Sequence, residues 1–275
     1  REPKGYDVGD ISSSLQLHEF LYKIILEGID AGMNFIPNLK GYLVGNPMTG
    51  ESFDFSSKVP FAHGFGIISD QLYETISKHC QGEDYTNPAN ALCAQAMDTF
   101  NNLISEVEKG QVLLDKCVFA SPAPNANRSR MDGSDARPAF GCFTYHYYLS
   151  YYWANDRRSG DQGDATMRGE LPYSAAIKSA IKYHRNLTSR GYRALVYSGD
   201  HDLVVPHLGT QAWVRSLNFF SIVDDWRAWH LDGQSAGYSN NMTFATTKGA
   251  GHTAPEYEPE RCFAMFSRWI LNRPL

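Results

Sequence analysis

No block of lysine and arginine stands out anywhere in the chain. Its 25 basic residues are outnumbered by 30 acidic ones, leaving a net charge of −5. Nucleic-acid binders draw their affinity from basic side chains gathered against phosphates, so that class is disfavoured and no nucleic-acid partner is expected. Long apolar runs are missing too. Stretches such as Ile24-Ile25-Leu26 fall far short of the roughly 18 to 20 residues a membrane span needs, so no membrane partner is expected. No glycine loop of the P-loop or dinucleotide type is present, which leaves nothing to cradle a phosphate. The nine histidines include no His-x-x-x-His pair with an acid nearby. A zinc site is therefore disfavoured, and no metal or other cofactor is expected.

Cysteine is scarce enough to follow residue by residue. Of five, Cys80 and Cys93 flank a stretch rich in Gly, Asn and Pro, and Cys117 and Cys142 flank another, as expected if each pair clips a loop in an oxidising compartment. Cys262 is left over, which implies a free buried thiol, an intermolecular bond, or a partner absent from this chain. Five reduced cysteines in a cytosolic protein are the alternative. The chain opens Arg1-Glu2-Pro3-Lys4, with neither an initiator methionine nor an apolar signal core. The expectation is a removed leader or a start inside a longer protein. Sequons at Asn127, Asn186 and Asn241 would permit glycosylation, although such triplets also arise by chance.

What the sequence does contain is core material. With 275 residues, 43% of them apolar and 13% aromatic, it can fill one large domain or two. Residues 15–29 carry Leu17, Leu21, Ile24 and Ile25 at helical spacing behind a serine run able to cap a helix. Leu39-Lys-Gly-Tyr-Leu-Val-Gly-Asn-Pro47 suits a buried strand that delivers a loop at its carboxyl end. Residues 70–78 and 91–108 read as helices separated by a turn-rich 82–90, within a helical insertion spanning 58–120. A breaker-rich loop or linker at 121–138 follows, then the aromatic 145–153 segment and a polar 156–169 stretch. Residues 194–198 read as a buried strand ending in Gly199-Asp-His-Asp202, and 209–217 as a helix. Strands at 226–231 and 238–247 flank a turn at 233–237, and a helix at 259–271 closes the chain. This interleaving of strands and helices argues for an α/β sheet.

In hydrolases that activate a serine, an acid orients a histidine that shuttles the proton, and both tend to sit on loops at the carboxyl ends of strands. Asp202 and His252 occupy such positions, in acid-then-histidine order. A loop acid and an unrelated surface histidine are the alternative. His201, between two aspartates, reads as a solvated loop residue or as one that shapes the acid loop.

Leu39–Pro47, Tyr197-Ser-Gly-Asp-His-Asp-Leu-Val-Val-Pro206, Gly233-Gln-Ser-Ala-Gly-Tyr238 and Gly249-Ala-Gly-His-Thr-Ala-Pro255 together resemble the plant serine carboxypeptidase-like family. Within it, the chain looks most like the acyltransferase branch. The resemblance runs over most of residues 4–155 and 169–275. It implies an α/β-hydrolase fold with a helical cap, divided as a partial core at 1–57, the cap at 58–120, the linker at 121–138 and the remaining core at 139–275. It implies Asp202 as the acid and His252 as the base. It also implies disulfides Cys80–Cys93 and Cys117–Cys142, glycosylation, and secretion or vacuolar targeting. The substrate would be a peptide or a small acyl ester.

The resemblance also implies absences. Family members carry a strand, a Gly-(Asp/Glu)-Ser-Tyr-(Ser/Ala)-Gly nucleophile elbow and a helix between segments resembling residues 17–23 and 25–29. Here those segments are joined directly, so no nucleophile serine is expected, and the fold is incomplete. Amino-terminal strands with a Gly-Gly-Pro-Gly oxyanion loop are also missing. Gly233-Gln-Ser235-Ala-Gly237 matches Gly-x-Ser-x-Gly by letter only. An elbow needs a strand, a strained turn and a helix, whereas Ser235 falls in a hairpin turn after the acid, reversing the serine-first order. Two readings follow: a serine carboxypeptidase-like chain left without its nucleophile, or a non-catalytic binding or regulatory protein that pairs with a full-length relative.

Overall fold

The computed structural model describes residues 31–32, 40–116, 179–217, 226–240 and 244–275. The chain separates into two compact units, one of Arg1–Ser105, Lys109–Val112 and Ala175–Leu275, the other of Glu106–Glu108 and Leu113–Ser174. In the second unit only residues 106–108 and 113–116 are described, and they form no helix or strand. The helix expected at 15–29, the junction after Lys23, the 121–138 linker, the 145–153 and 156–169 segments, Cys117, Cys142, Asn127 and Asn241 lie outside the described residues.

Among the described residues five strands, β1 (Gly41–Gly45), β2 (Arg193–Gly199), β3 (Arg227–Leu231), β4 (Gln234–Asn240) and β5 (Phe244–Thr247), form one sheet in the order β1-β2-β5-β4-β3. β1, β2 and β5 run parallel, and β4 and β3 are antiparallel additions. Alternate residues of a strand face opposite sides of the sheet, so β1 and β2, covered on both faces, read as short unbroken apolar runs. Leu195 and Ala245, with Leu43 and Tyr197, pack with Cys262, Met265 and Trp269 of helix α8 (Pro259–Ile270). On the opposite face Tyr42 and Ala194 meet Tyr183 and Leu187 of α5 (Ile181–Ser189), while Val196 and Phe244 meet Trp213 and Val214 of α6 (His207–Ser216).

Between β1 and α5 the described chain is helical: α1 (Phe53–Ser56), α2 (Lys58–Gly64), α3 (Asp70–His79) and α4 (Ala91–Ser105). Side-chain caps set two of these starts. Ser69 Oγ accepts from the Leu72 amide, and Asn90 Oδ1 accepts from the amides of Leu92 and Cys93. Ile76, Phe100, Met97 and the Cys80–Cys93 disulfide share a core with Leu203, which follows Asp202 in the acid loop. A short helix, α7 (Ala254–Tyr257), precedes α8.

The hairpin differs from the expected one. Its turn is Asp232-Gly233, both with positive φ (50° and 75°), and Leu231 pairs directly with Gln234. That is the two-residue geometry whose twist matches paired strands. Ser235 therefore lies inside β4, opposite His230, and not in the turn. The expected 238–247 strand is two strands, β4 and β5, paired antiparallel with Asn240 opposite Phe244. Gly237 permits close packing in this region. A Cβ there would collide with the Thr246 carbonyl and Trp229 Nε1, which form a 2.9 Å hydrogen bond.

Candidate active site

β2 ends at Gly199 and releases the acid loop. Asp202 is fully buried, and both of its carboxylate oxygens are occupied. Oδ1 accepts from the backbone amides of Val204 (2.7 Å) and Val205 (3.2 Å), a local turn of the kind aspartate forms with its own following backbone. Oδ2 accepts from Asn46 Nδ2 at 2.7 Å and lies 2.9 Å from His252 Nδ1. Asp202 and His252, 50 residues apart in sequence, are thus brought into direct contact.

The histidine turn is fixed to the acid loop by backbone. The Gly249 amide donates to Asp200 Oδ1 at 2.7 Å, and the His201 amide donates to the Ala250 carbonyl at 2.9 Å. Gly199 allows this approach, since a Cβ there would meet the carbonyls of Ala250 and Gly251. Burial raises the Asp200 carboxyl above its ordinary value, opposed by His201 and the Gly249 hydrogen bond. His201 itself is edge-on to Phe65, with ring centroids 5.7 Å apart, and is only partly exposed. The solvated-loop reading gives way to one in which its backbone ties the two loops.

Residues 109–112 lace the same region. Leu203 N donates to the Lys109 carbonyl (2.9 Å), His252 N to Gly110 (2.7 Å), Val112 N to His201 (3.1 Å), and Gln111 Nε2 to Gly249 (2.8 Å). Neither this segment nor Asn46 was legible as part of the site. For Asn46 a signal existed: asparagine is among the residues that most readily take the left-handed region, and here, at the end of β1, φ is 42°.

An acceptor-only carboxylate facing Nδ1 keeps the ring proton there. The basic lone pair is then on Nε2, and the imidazolium is stabilised once it forms. The pair can therefore take a proton from a hydroxyl and return it. Ser235 sits in an antiparallel strand without the strand-turn-helix context of an elbow, and its Oγ is buried with no hydrogen-bond partner. Among the described residues no group of three or more His, Cys, Asp and Glu could hold a metal. No described helix is long and apolar enough to cross a membrane.

The other expected residues are placed as follows. Cys80 and Cys93 form a disulfide with Cα atoms 5.0 Å apart. Asn186 lies on α5, where its Oδ1 accepts from Arg190. Cys262 carries a free, buried thiol 3.8 Å from Thr247 Oγ1, with its pKa raised by burial. A mostly apolar cavity of about 550 Å³, bordered by Leu43, Tyr197, Pro255, Cys262, Phe263 and Phe266, opens between the sheet and α8.

Residues 19–272 match the family model described as serine carboxypeptidase. Serine carboxypeptidase-like 19 of Arabidopsis thaliana is 39% identical, covering 90% of this chain and 58% of its own length. Serine carboxypeptidase-like 2 of the same plant is 44% identical, covering 86% and 53%. The chain thus spans about half the length of these curated relatives. A crystal structure of Kex1(Δ)p, a prohormone-processing carboxypeptidase from Saccharomyces cerevisiae, aligns with a TM-score of 0.48 at 14% identity, covering 91% of this chain and 57% of that one. With matching sequence along nearly its whole length, the chain belongs to the serine carboxypeptidase family, and its mixed sheet with flanking helices is an incomplete α/β-hydrolase fold.

Proposed function

We propose that this chain carries the acid and base of a serine acyl-transfer site without a nucleophile serine in place, and so does not turn over substrate alone. The observation that supports this reading is the 2.9 Å contact between buried Asp202 and His252 Nδ1. In a complete relative a serine would attack a peptide or a glucose-ester carbonyl while histidine takes its proton. Water or an acceptor hydroxyl would then resolve the acyl-enzyme, with the same histidine as base. The complete protein would be a carboxypeptidase or an acyltransferase of this type. In this chain Asp202 and His252 remain, and the segments resembling those on either side of the elbow are joined at Lys23.

The test is fluorophosphonate labelling of the folded chain, with the modified peptide mapped by mass spectrometry and an Arabidopsis relative as the positive control. The expected result is no labelling and no hydrolysis of an acyl glucose. Labelling at Ser235 that disappears in His252→Ala would overturn the proposal and restore an active hydrolase.

A second reading, a non-catalytic binding or regulatory protein, is favoured by the apolar cavity of about 550 Å³. Its volume lies within the ordinary range for small-molecule sites. Its partner would be a small apolar ligand or a full-length relative. Saturable binding to a monodisperse chain would support this reading, and an aggregated product would count against it. Passage through the secretory pathway to the extracellular space or vacuole is proposed with either reading, supported by the Cys80–Cys93 disulfide.

A further inference from the structure

We infer that Asn46 is a positioning residue that aims the Asp202 carboxylate at His252, an inference that rests on reading Asp202 and His252 as a proton-transfer pair. The two Asp202 oxygens are held in different ways. Oδ1 is fixed by the residue's own loop, through the amides of Val204 and Val205. Oδ2, the oxygen facing the imidazole, is fixed from outside the loop by Asn46 Nδ2 at 2.7 Å, at the carboxyl end of β1. Without that donor, His252 would be the one remaining partner shown for Oδ2, with the loop amides holding only Oδ1.

The local backbone explains why asparagine stands here. The Asn46 amide donates to the Tyr197 carbonyl at 2.7 Å, one step beyond the last β1–β2 ladder pair, Gly45 with Tyr197. The residue then takes φ 42°, which turns a short side chain across the end of β2. Asparagine tolerates that conformation and also supplies a donor. Glycine would tolerate the turn but brings no donor. Aspartate would tolerate it but sets an acceptor against an acceptor. The amide orientation follows from the same chemistry, since only the NH₂ end can face a carboxylate. Its other end, Asn46 Oδ1, is buried and finds no donor. An apolar side chain at this position would not carry that cost, so retaining the amide makes sense through what its NH₂ group does.

The test is NMR on the whole chain with ¹⁵N in its histidine rings and asparagine side chains. In the unmodified chain His252 should give the shifts of a ring protonated at Nδ1 with a low-field Nδ1–H line, and Asn46 an amide protected from exchange. Asp202→Asn should abolish the low-field line. Asn46→Gly keeps the turn and removes the donor together with the buried Oδ1. It should lose that line and shift His252 towards the Nε2-protonated form, while the cooperative melt is retained.

If Asp202→Asn leaves the line in place, the acid–base pair itself is wrong. If Asp202→Asn removes the line but Asn46→Gly leaves it unchanged, the pair stands and the role of Asn46 is overturned. Should a variant fail to fold, the unmodified chain decides. An Asn46 amide exchanging as fast as free asparagine overturns the inference, and a protected one supports it.

Discussion

His184 is a residue whose burial has a consequence in solution. It is 2% exposed, its Nδ1 lies 2.9 Å from the Tyr42 hydroxyl, and its ring centroid is 4.8 Å from that of Trp213. Burial pushes its pKa down from 6.5 to about 4. The folded chain therefore keeps the ring neutral where the unfolded chain protonates it. The stability this provides is complete above pH 6.5 and is lost as pH falls through 4, about 3 kcal/mol between pH 7 and pH 4. Burial also raises the Asp54 carboxyl, which works in the opposite direction: its contribution is present in acid and lost as pH rises through the raised value. The difference between two chains isolates the histidine. His184→Gln should lose about 3 kcal/mol less than the unmodified chain across that interval in urea unfolding. Equal losses would show that the ring is not held neutral. At this scale, Asp202 and His252 were legible because each follows a strand on a short loop, the setting in which a proton shuttle is oriented. Asn46 was legible only as a residue suited to a left-handed turn, because its contact with Asp202 depends on a side chain crossing from β1 to the end of β2, which no local pattern records. Ser235 shows the reverse: three matching letters with the wrong backbone beneath them.

Among the elements, α3 and α4 are joined across a turn-rich loop that the Cys80–Cys93 disulfide closes over a sequence separation of 13. Loop closure in the unfolded chain makes such a bond worth roughly 3 kcal/mol. The double substitution Cys80→Ala with Cys93→Ala should lower the unfolding free energy in urea by about that amount, and dithiothreitol should do the same to the unmodified chain. A variant unchanged in stability would mean that packing of Ile76 and Phe100 holds the helices without help. β1 and β2 were legible because burial on both faces leaves short continuous apolar runs, whereas β5, Phe-Ala-Thr-Thr, merged with β4 into one expected strand. α3 and α4 were legible by their helical spacing on either side of the turn-rich 82–90 stretch, and the structure adds the caps at Ser69 and Asn90. The hairpin was misread because glycines at 233 and 237 look alike in sequence but do different work. Gly233 turns the chain at positive φ, whereas Gly237 makes room for the contact between Trp229 and Thr246. Asp232-Gly233 was the available signal, and the repeated glycines obscured it.

Across the whole molecule, α8 is apolar on more than the side it buries. Cys262, Met265 and Trp269 face the sheet, yet Phe263 is 70% exposed, Phe266 44% and Ile270 52%. A surface helix of a soluble protein normally turns a polar face to solvent. A contiguous apolar patch on such a helix marks either an interface or an association hazard. With the neighbouring cavity bordered by Phe263 and Phe266, this face should drive the chain to associate as its concentration rises. Phe263→Glu with Phe266→Glu should therefore shift the chain towards monomer in size-exclusion chromatography with light scattering. Because Phe263 is mostly exposed and Phe266 nearly half so, the change in unfolding free energy should stay within roughly 0.5 kcal/mol for Phe263 and be somewhat larger for Phe266. A chain that is already monomeric at every concentration would show that the face is satisfied in solution. A variant that unfolds would show instead that these two rings belong to the core.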